Sequence, residues 1–181
     1  MANLTTIERV KTYAHISTAA DDVLLSRLIE VASAYIETWC DRKIMAADHV
    51  EHRSGTGANR MTTRHCPVID VTRVVCDGRD IPLSVAGSVG YVFDDLTVWL
   101  IGARFAPGVR NVELHYRAGY EQPPADLEQS CIEIVVSRYR DRTRTGIQSQ
   151  GMAGETVSFI PDELSRFART VLGQYRRVVA P

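Results

Sequence analysis

The chain has 181 residues, of which 45% are hydrophobic and 24% charged, and its formal net charge is −1. This length and composition are typical of a globular protein with one core, or one core and an inserted subdomain, and they exclude a disordered chain. The four cysteines are scattered without a C-x-x-C pair, which argues against a disulfide scaffold or a zinc framework and favours buried free thiols. Since no apolar run approaches the ~20 residues of a membrane span and MANLTTIERVK lacks a signal-peptide core, we expect a soluble, intracellular chain.

The first 41 residues predict two helices. Thr5-x-x-Glu8 has the form of a capping box and predicts a short helix from Thr6 to about Ala14. Asp21 and Asp22 start a longer helix that ends near Cys40–Asp41. Its apolar residues recur at three- and four-residue spacing and predict one core-facing stripe: Leu25, Leu28, Ala32, Tyr35, Ile36 and Trp39.

From about 45 to 120 the pattern is that of strands. Short β-rich runs alternate with turn signals, and Asp77-Gly78 between two apolar runs predicts a tight hairpin. Val112, Leu114 and Tyr116 alternate with polar residues, as in a strand with one buried face. We expect six or so short strands, forming an antiparallel sheet or a small barrel.

The last third returns to helix. Pro123-Pro124-Ala125-Asp126 starts a helix whose buried stripe is Leu127, Cys131, Ile134 and Val135, and no apolar face continues beyond Tyr139. A polar loop over 145–154 and a strand-like GETVSF follow. A final helix from Pro161-Asp162-Glu163 is expected to bury Leu164, Phe167, Ala168, Val171, Leu172 and Tyr175.

The predicted fold class is therefore α+β. Residues 1–44 and 121–181 form an antiparallel core of about four helices, and residues 45–120 form a β-rich insertion.

Three short motifs contain residue types that are common in chemical sites. His49-x-x-His52, together with His65 and His115, could suggest a metal site. Strand spacing puts His49 and His52 on opposite faces, so we interpret these histidines as surface residues and a metal-dependent hydrolase as the remotest alternative. Asp94-Asp95 has turn composition, and Ser54-Gly55-Thr56-Gly57 lacks the lysine and the strand–loop–helix context of a phosphate-binding loop. No nucleophile–base–orienter set is present, so the sequence predicts no enzyme and no metal site.

Charge is unevenly distributed along the chain. Residues 1–137 carry 13 basic and 18 acidic side chains, whereas residues 138–181 carry 8 and 4, and 19 of the 21 basic residues are arginine. Arg138, Arg140, Arg142 and Arg144 close the third predicted helix on several sides, at about 100° per residue. They either complement the helix dipole, with Asp141 paired to Arg144, or meet a neighbouring subunit or nucleic acid.

The C-terminal Tyr175-Arg176-Arg177 segment allows two interpretations. It is either a solvated tail or a docking segment, because tyrosine and arginine are enriched at interfaces.

Three segments taken in order resemble the head–tail connector (adaptor, or head-completion) proteins of long-tailed bacteriophages and prophages. They are LTTIERVKTYAHI with DDVLLSRLIEVASAYIETWCDR, then YRAGYEQPPADLEQSCIEIVVSRYRDR, and finally GMAGETVSFIPDELSRFARTVLGQYRRV. The resemblance covers both helical ends, nearly half the chain, and it depends on the order of the segments because no single motif is diagnostic.

The resemblance implies a structural virion protein, made in the bacterial host cytoplasm and placed in the virion neck. It implies a cyclic homo-oligomer of about twelve copies between the portal protein and a tail-side stopper or tail-completion protein, extending a channel for DNA that is bound without sequence specificity. It implies no membrane, cofactor or catalysis. The alternative function is a small nucleic-acid-binding module that uses the arginine-rich helix end.

Candidate site residues follow from the resemblance together with the charge pattern. Arg138, Arg140, Arg142 and Arg144 are expected at subunit interfaces or the channel wall, with contacts to neighbouring acidic surface favoured over DNA. Docking to the portal or tail is expected to use Gly151, Gly154, Glu155, Phe159, Tyr175, Arg176 and Arg177.

Overall fold

The computed structural model describes residues 3–142, 149–152, 155–158 and 164–176. The chain forms two compact units. Residues 1–42 with 123–181 make the helical unit, and residues 43–122 make the β unit. No helix among the described residues has both the length and the apolar content needed to cross a bilayer.

The described residues of the helical unit form four helices: α1 (Ile7–Ala14), α2 (Asp22–Cys40), α3 (Ala125–Asp141) and α4 (Arg166–Tyr175). The first two end at His15 and Asp41, each in the left-handed conformation with its N–H turned back onto helix carbonyls. The predicted bounds of α2 are therefore confirmed. The core of the helical unit is formed by one face of each helix and includes Val10, Leu25, Ile29, Ala32, Ile36, Leu127, Cys131, Val135, Ala168 and Leu172.

Two helix starts differ from prediction. Thr6, not Thr5, caps α1 by accepting a hydrogen bond from the Arg9 N–H, because the hydroxyl of buried Thr5 donates to Glu128 on α3 instead. The predicted start of α4 lies outside the described residues, and helical geometry begins only at Arg166, capped by Ser165.

The predicted buried face of α4 is wrong at one position. Phe167 is 47% exposed, since it lies off the face that Leu164, Ala168 and Leu172 turn towards the core.

The β unit contains seven strands: β1 (Ala47–Arg53), β2 (Arg60–Thr62), β3 (Val68–Cys76), β4 (Arg79–Ile81), β5 (Gly90–Phe93), β6 (Thr97–Ile101) and β7 (Val112–Ala118). They form an antiparallel sheet of order β1-β7-β3-β4 and a second of order β2-β6-β5. Both sheets are open in the part of the chain that the structure describes, so the sheet alternative is confirmed and the barrel alternative is wrong.

Local rules account for two features of the larger sheet. The Asp77-Gly78 hairpin is confirmed: Cys76 pairs with Arg79, and both turn residues have positive φ, 51° and 75°. The alternation of β7 is also confirmed, with Val112, Leu114 and Tyr116 buried. These side chains share one core with the second sheet, whose Tyr91 hydroxyl donates to the Val71 carbonyl at 2.7 Å.

The first and last segments of the β unit lie side by side. Met45 and Tyr120 form a parallel bridge, the Ala46 N–H donates to the Tyr120 carbonyl, and the Tyr120 N–H donates to that of Ile44, each at 2.9 Å.

A hairpin follows α3. Strand β8 (Ser149–Met152) pairs antiparallel with β9 (Glu155–Ser158), with Ser149 opposite Ser158 and Met152 opposite Glu155. The predicted strand is thus confirmed over Glu155–Ser158, whereas the predicted loop over 145–154 is wrong where β8 forms. Backbone pairing with β9 overrides the low strand propensity of this polar, glycine-containing sequence.

Candidate assembly surfaces

The C-terminal end of α3 carries the predicted arginines. Arg138 and Arg140 are exposed. Arg142 is tied to its own helical unit: its guanidinium stacks on the Tyr139 ring at 3.7 Å, donates to the Tyr139 carbonyl at 2.6 Å and lies 3.5 Å from the Asp21 carboxylate. Arg144 lies outside the described residues. The predicted group of four therefore contains residues with different surroundings.

Tyr139 completes this contact. Its hydroxyl donates to Asp21 Oδ2 at 2.5 Å, and this hydrogen bond to a carboxylate raises the pKa of the phenol. Beyond Tyr139 no apolar face is expected, yet Arg142 still contacts its own helical unit, because Asp21 before α2 supplies an acceptor. Arg138 and Arg140 remain candidates for contacts between molecules.

The predicted docking residues also differ from one another in their surroundings. Tyr175 is engaged within the helical unit, where its hydroxyl donates to the Asp126 carboxylate of α3 at 2.9 and 3.0 Å. Arg176 is exposed, Gly151 lies in β8, and Glu155 lies in β9. The remaining predicted positions fall outside the described residues: Gly154, Phe159 and Arg177.

α2 has two apolar faces rather than one. Leu25, Ile29, Ala32, Ile36 and Cys40 are buried. A second set, which we call the outer ridge, points elsewhere and consists of Leu24, Leu28, Val31, Tyr35 and Trp39.

The exposure of the outer ridge separates it from the core. Leu24 and Val31 are each 38% exposed and Trp39 is 37% exposed, so the prediction that Trp39 faces the core is wrong. The predicted single stripe combined both faces, since sequence spacing alone does not say which of two adjacent helix faces a neighbour covers. The ridge ends at a groove of about 340 Å³ bounded by Tyr35, Thr38, Trp39 and Arg176.

A groove of about 420 Å³ lies between α1 and α3. Its lining includes Glu8, Arg9, Thr12, Tyr13, Gln129 and Ile132. Arg9 pairs with Glu128, which also accepts the Thr5 hydroxyl. Tyr13 is 46% exposed. We call this feature the α1/α3 groove.

The histidines of the β unit have a structural explanation. His49 and His65 stack at 3.8 Å with an 8° interplanar angle, and both lie against Tyr116. The interpretation as surface residues is therefore wrong for His49, whose pKa is lowered by burial, and holds for exposed His52. The stacking brings together positions that the His49-x-x-His52 spacing could not connect.

Sequence analysis missed the buried carboxylate beside these rings. Glu51 is 6% exposed, accepts the Tyr116 hydroxyl and the Arg64 N–H at 2.8 Å, and pairs with Arg53. The available signal was its position two residues from His49 on the inward face of β1. Glu51 therefore links β1 to β7 through Tyr116 and to the segment after β2 through the Arg64 N–H.

The two other motifs considered as chemical sites also have structural roles. Asp94 accepts the N–H groups of Leu96 and Thr97, confirming the turn interpretation. Gly55 packs so closely against the chain that a Cβ there would lie 2.0 Å from the Ala106 carbonyl oxygen. Among the residues that the structure describes, no group of three or more His, Cys, Asp or Glu is arranged to hold a metal.

The cysteines are free, and those at 40, 76 and 131 are buried, as expected. Burial raises the pKa of Cys131 to about 12 and that of Cys40 to about 11, which suppresses thiolate chemistry at both.

Comparison with solved structures gives matches over nearly the whole chain to chains of gene transfer agent (GTA) particles. One, described as the neck of an empty GTA particle computed with C6 symmetry, has a TM-score of 0.59 and 19% identity and covers 98% of this chain and 92% of the other. A chain from the virion of a native GTA particle has a TM-score of 0.59 and 16% identity, and the match covers 98% of this chain and 92% of the other. A chain from the neck of a native GTA particle computed with C12 symmetry has a TM-score of 0.55 and 15% identity, and the match covers 99% of this chain and 96% of the other. At these identities the matches establish the fold.

No curated protein matches the chain. A family model does: the one described as Head completion protein matches residues 3–178, which spans both helical ends and the whole β unit. Because that match extends over nearly the entire sequence, the chain belongs to the head completion protein family.

Proposed function

We propose that the chain is a structural protein of the neck of a phage-like particle, where copies of it form a ring adaptor between capsid portal and tail. The observation that carries this proposal is the family match over residues 3–178, supported by the fold shared with GTA neck chains. The role requires neither catalytic residues nor a cofactor. In this proposal the protein is made in the bacterial host cytoplasm and resides in the virion neck.

The ring is the first specific element of the proposal. The similar neck structures are described with C6 and C12 symmetry, so we propose a closed ring of about twelve copies, matching the portal. Contacts in such a ring join two different faces of each subunit. Arg138 and Arg140 are exposed and suited to the acidic surface of a neighbour. DNA sliding through the lumen favours few phosphate contacts, so subunit contacts are proposed for most of these arginines.

Docking to the portal and to a tail-side stopper is the second element. We assign it to the β8–β9 hairpin, including Gly151 and Glu155, and to exposed Arg176. The β unit is proposed to be a domain inserted into the helical connector core.

The test is reconstitution with a portal ring. Native mass spectrometry and electron microscopy of the purified protein, alone and mixed with portal protein, should show a cyclic oligomer stacked on the portal. A protein that stays monomeric at high concentration and never binds portal would contradict the proposal.

A second candidate function is nucleic-acid binding through the end of α3, favoured by the exposure of Arg138 and Arg140. Duplex DNA binding that weakens steeply with added salt, and that is lost in an Arg138→Glu/Arg140→Glu variant, would support it. Absence of binding at low salt would exclude it.

A further inference from the structure

A stack of two histidine rings attaches the chain that leaves β2 to the larger sheet of the β unit. His49 on β1 and His65 lie with their ring centroids 3.8 Å apart and their planes 8° from parallel. The Tyr116 ring of β7 lies 5.6 Å from the first ring and 6.5 Å from the second. Both histidines are partly exposed, so protons can reach them.

Two backbone hydrogen bonds accompany the stack. The Arg64 N–H donates to the Glu51 carboxylate of β1 at 2.8 Å, and the His65 N–H donates to the Tyr116 hydroxyl of β7 at 3.2 Å. Each acceptor is a side chain of the larger sheet. The stack and these two hydrogen bonds thus form one contact, which we call the histidine contact.

The residue before this contact is held by the smaller sheet. The N–H and the hydroxyl of Thr63 both donate to the carbonyl of Leu96, next to β6, at 2.9 and 3.0 Å. Residues 63–65 therefore connect the two sheets, and the histidine contact is the part of this connection that contains titratable rings.

We infer that the histidine contact is sensitive to acid: it stays closed with one proton on the two rings, and a second proton separates the rings and releases residues 64 and 65 from β1 and β7. This inference concerns the β unit alone and does not depend on the proposed neck function.

The geometry of the stack supplies the physical reason. One imidazolium is tolerated beside a neutral ring, since aromatic faces attract cations. Two imidazolium rings at a centroid separation of 3.8 Å repel each other. The pair should therefore take up its protons in two separate steps. Separated rings bind both protons more readily than stacked rings, so acid favours the open form.

The groups around the rings do not neutralise the second charge. Burial lowers the pKa of His49, while the carboxylates of Asp48 and Glu51 act in the opposite direction. Glu51 already accepts the Tyr116 hydroxyl and pairs with Arg53. The charged and titratable side chains next to the rings, in space or in sequence, include Asp48, Glu51, Arg53, Arg64, Cys66 and Tyr116.

Amide hydrogen exchange of the full chain, followed by NMR at about pH 7.5 and about pH 5, tests the inference. Exchange is expressed as protection factors, which remove the intrinsic effect of pH on the rate. We expect protection of the Arg64 and His65 amides to fall at least tenfold at the lower pH. The Thr63 amide and the amides that pair β3 with β7 should keep their protection.

Phenylalanine variants separate the proton from the ring. His49→Phe and His65→Phe each keep an aromatic ring and remove one titrating group, so the acid-dependent loss of protection should disappear in both. His52→Phe, at an exposed position of β1, is the matched control and should behave as wild type. Circular dichroism verifies folding, and the two variants test the contact from opposite sides if one of them is unstable.

Three outcomes would overturn the inference. Acid-dependent opening that persists in both phenylalanine variants would assign it to another group, such as Glu51. Equal loss of protection at Thr63 and between β3 and β7 would show global unfolding instead of local opening. A single common titration step for the two wild-type rings, unchanged for His49 in His65→Phe, would show that the rings do not interact.

The result is independent of assembly. A chain that forms rings with portal protein but shows no acid-dependent opening would contradict this inference and leave the proposed function standing. A chain that opens with acid but never assembles would contradict the proposed function and support the inference.

Discussion

The hydroxyl of Tyr139 lies 2.5 Å from Oδ2 of Asp21 and donates a hydrogen bond that joins the last turn of α3 to the residue before α2. Arg142 stacks on the same ring and approaches the same carboxylate. The basic end of α3 is therefore partly engaged in contacts within the helical unit.

Removing the Tyr139 hydroxyl tests whether its hydrogen bond to Asp21 stabilises the fold. Tyr139→Phe should lower the melting temperature by a small but measurable amount, because Asp21 loses its phenolic donor while the ring remains. Tyr13→Phe, at an exposed tyrosine, is the matched control and should have no effect. Equal melting temperatures for wild type and Tyr139→Phe would show that the contact adds nothing to stability.

The arginines of α3 should separate into two classes. Arg138→Glu/Arg140→Glu should weaken ring assembly and leave the melting temperature nearly unchanged, because exposed charges contribute little to folding. Arg142→Glu should lower the melting temperature, since it places a carboxylate beside Asp21. Thermal unfolding and native mass spectrometry on the same samples measure both effects, and a destabilised double variant would contradict the division.

Glu51 should be important for the stability of the β unit. Glu51→Ala leaves the Tyr116 hydroxyl and the Arg64 N–H without their acceptor, at a cost of about 2–3 kcal/mol in the free energy of unfolding. Glu51→Gln keeps an acceptor oxygen and should cost less. Denaturant titration measures both, with Asp95→Ala as the exposed control; a neutral Glu51→Ala would refute the role.

Acid should weaken the fold at His49. Burial lowers the pKa of this imidazole in the folded protein, so the unfolded chain binds the proton more readily. The stability is complete above the ordinary histidine pKa of about 6.5 and declines as the pH falls towards the lowered value. His49→Gln should therefore show a smaller fall in melting temperature between about pH 7.5 and about pH 5.5. His52→Gln, at an exposed site, should behave as wild type.

Two glycines should respond oppositely to alanine. Gly119 has a φ of 115°, and a Cβ there would lie 2.7 Å from the Met45 carbonyl oxygen, so Gly119→Ala should destabilise by about 1–3 kcal/mol. Gly173 in α4 has open space around it, so Gly173→Ala should stabilise by about 0.5–1 kcal/mol. Denaturant unfolding of both variants provides the comparison, and a stabilised Gly119→Ala would refute the steric argument.

What the sequence predicted well depends on neighbours along the chain. The limits of α2, the Asp77-Gly78 turn and the alternation around Leu114 each follow from a few adjacent residues. These features need no knowledge of distant contacts.

The wrong predictions depend on contacts between residues that are far apart in the sequence. Trp39 points outward because a neighbouring element covers a different face of α2. Thr5 does not cap α1 because its hydroxyl donates to Glu128, a residue 123 positions away in the sequence. The stack of His49 on His65 likewise depends on the sheets that bring them together. Spacing on a single segment carries no information about such partners. This explains why the predicted core stripe of α2 includes Leu28, Tyr35 and Trp39 of the outer ridge.

The pairing of Met45 with Tyr120 places the first and last segments of the β unit side by side. Because these two ends are held together by backbone hydrogen bonds, a loop inside the β unit can lengthen or shorten without separating them. Variation in length is therefore tolerated best in the turns between its strands.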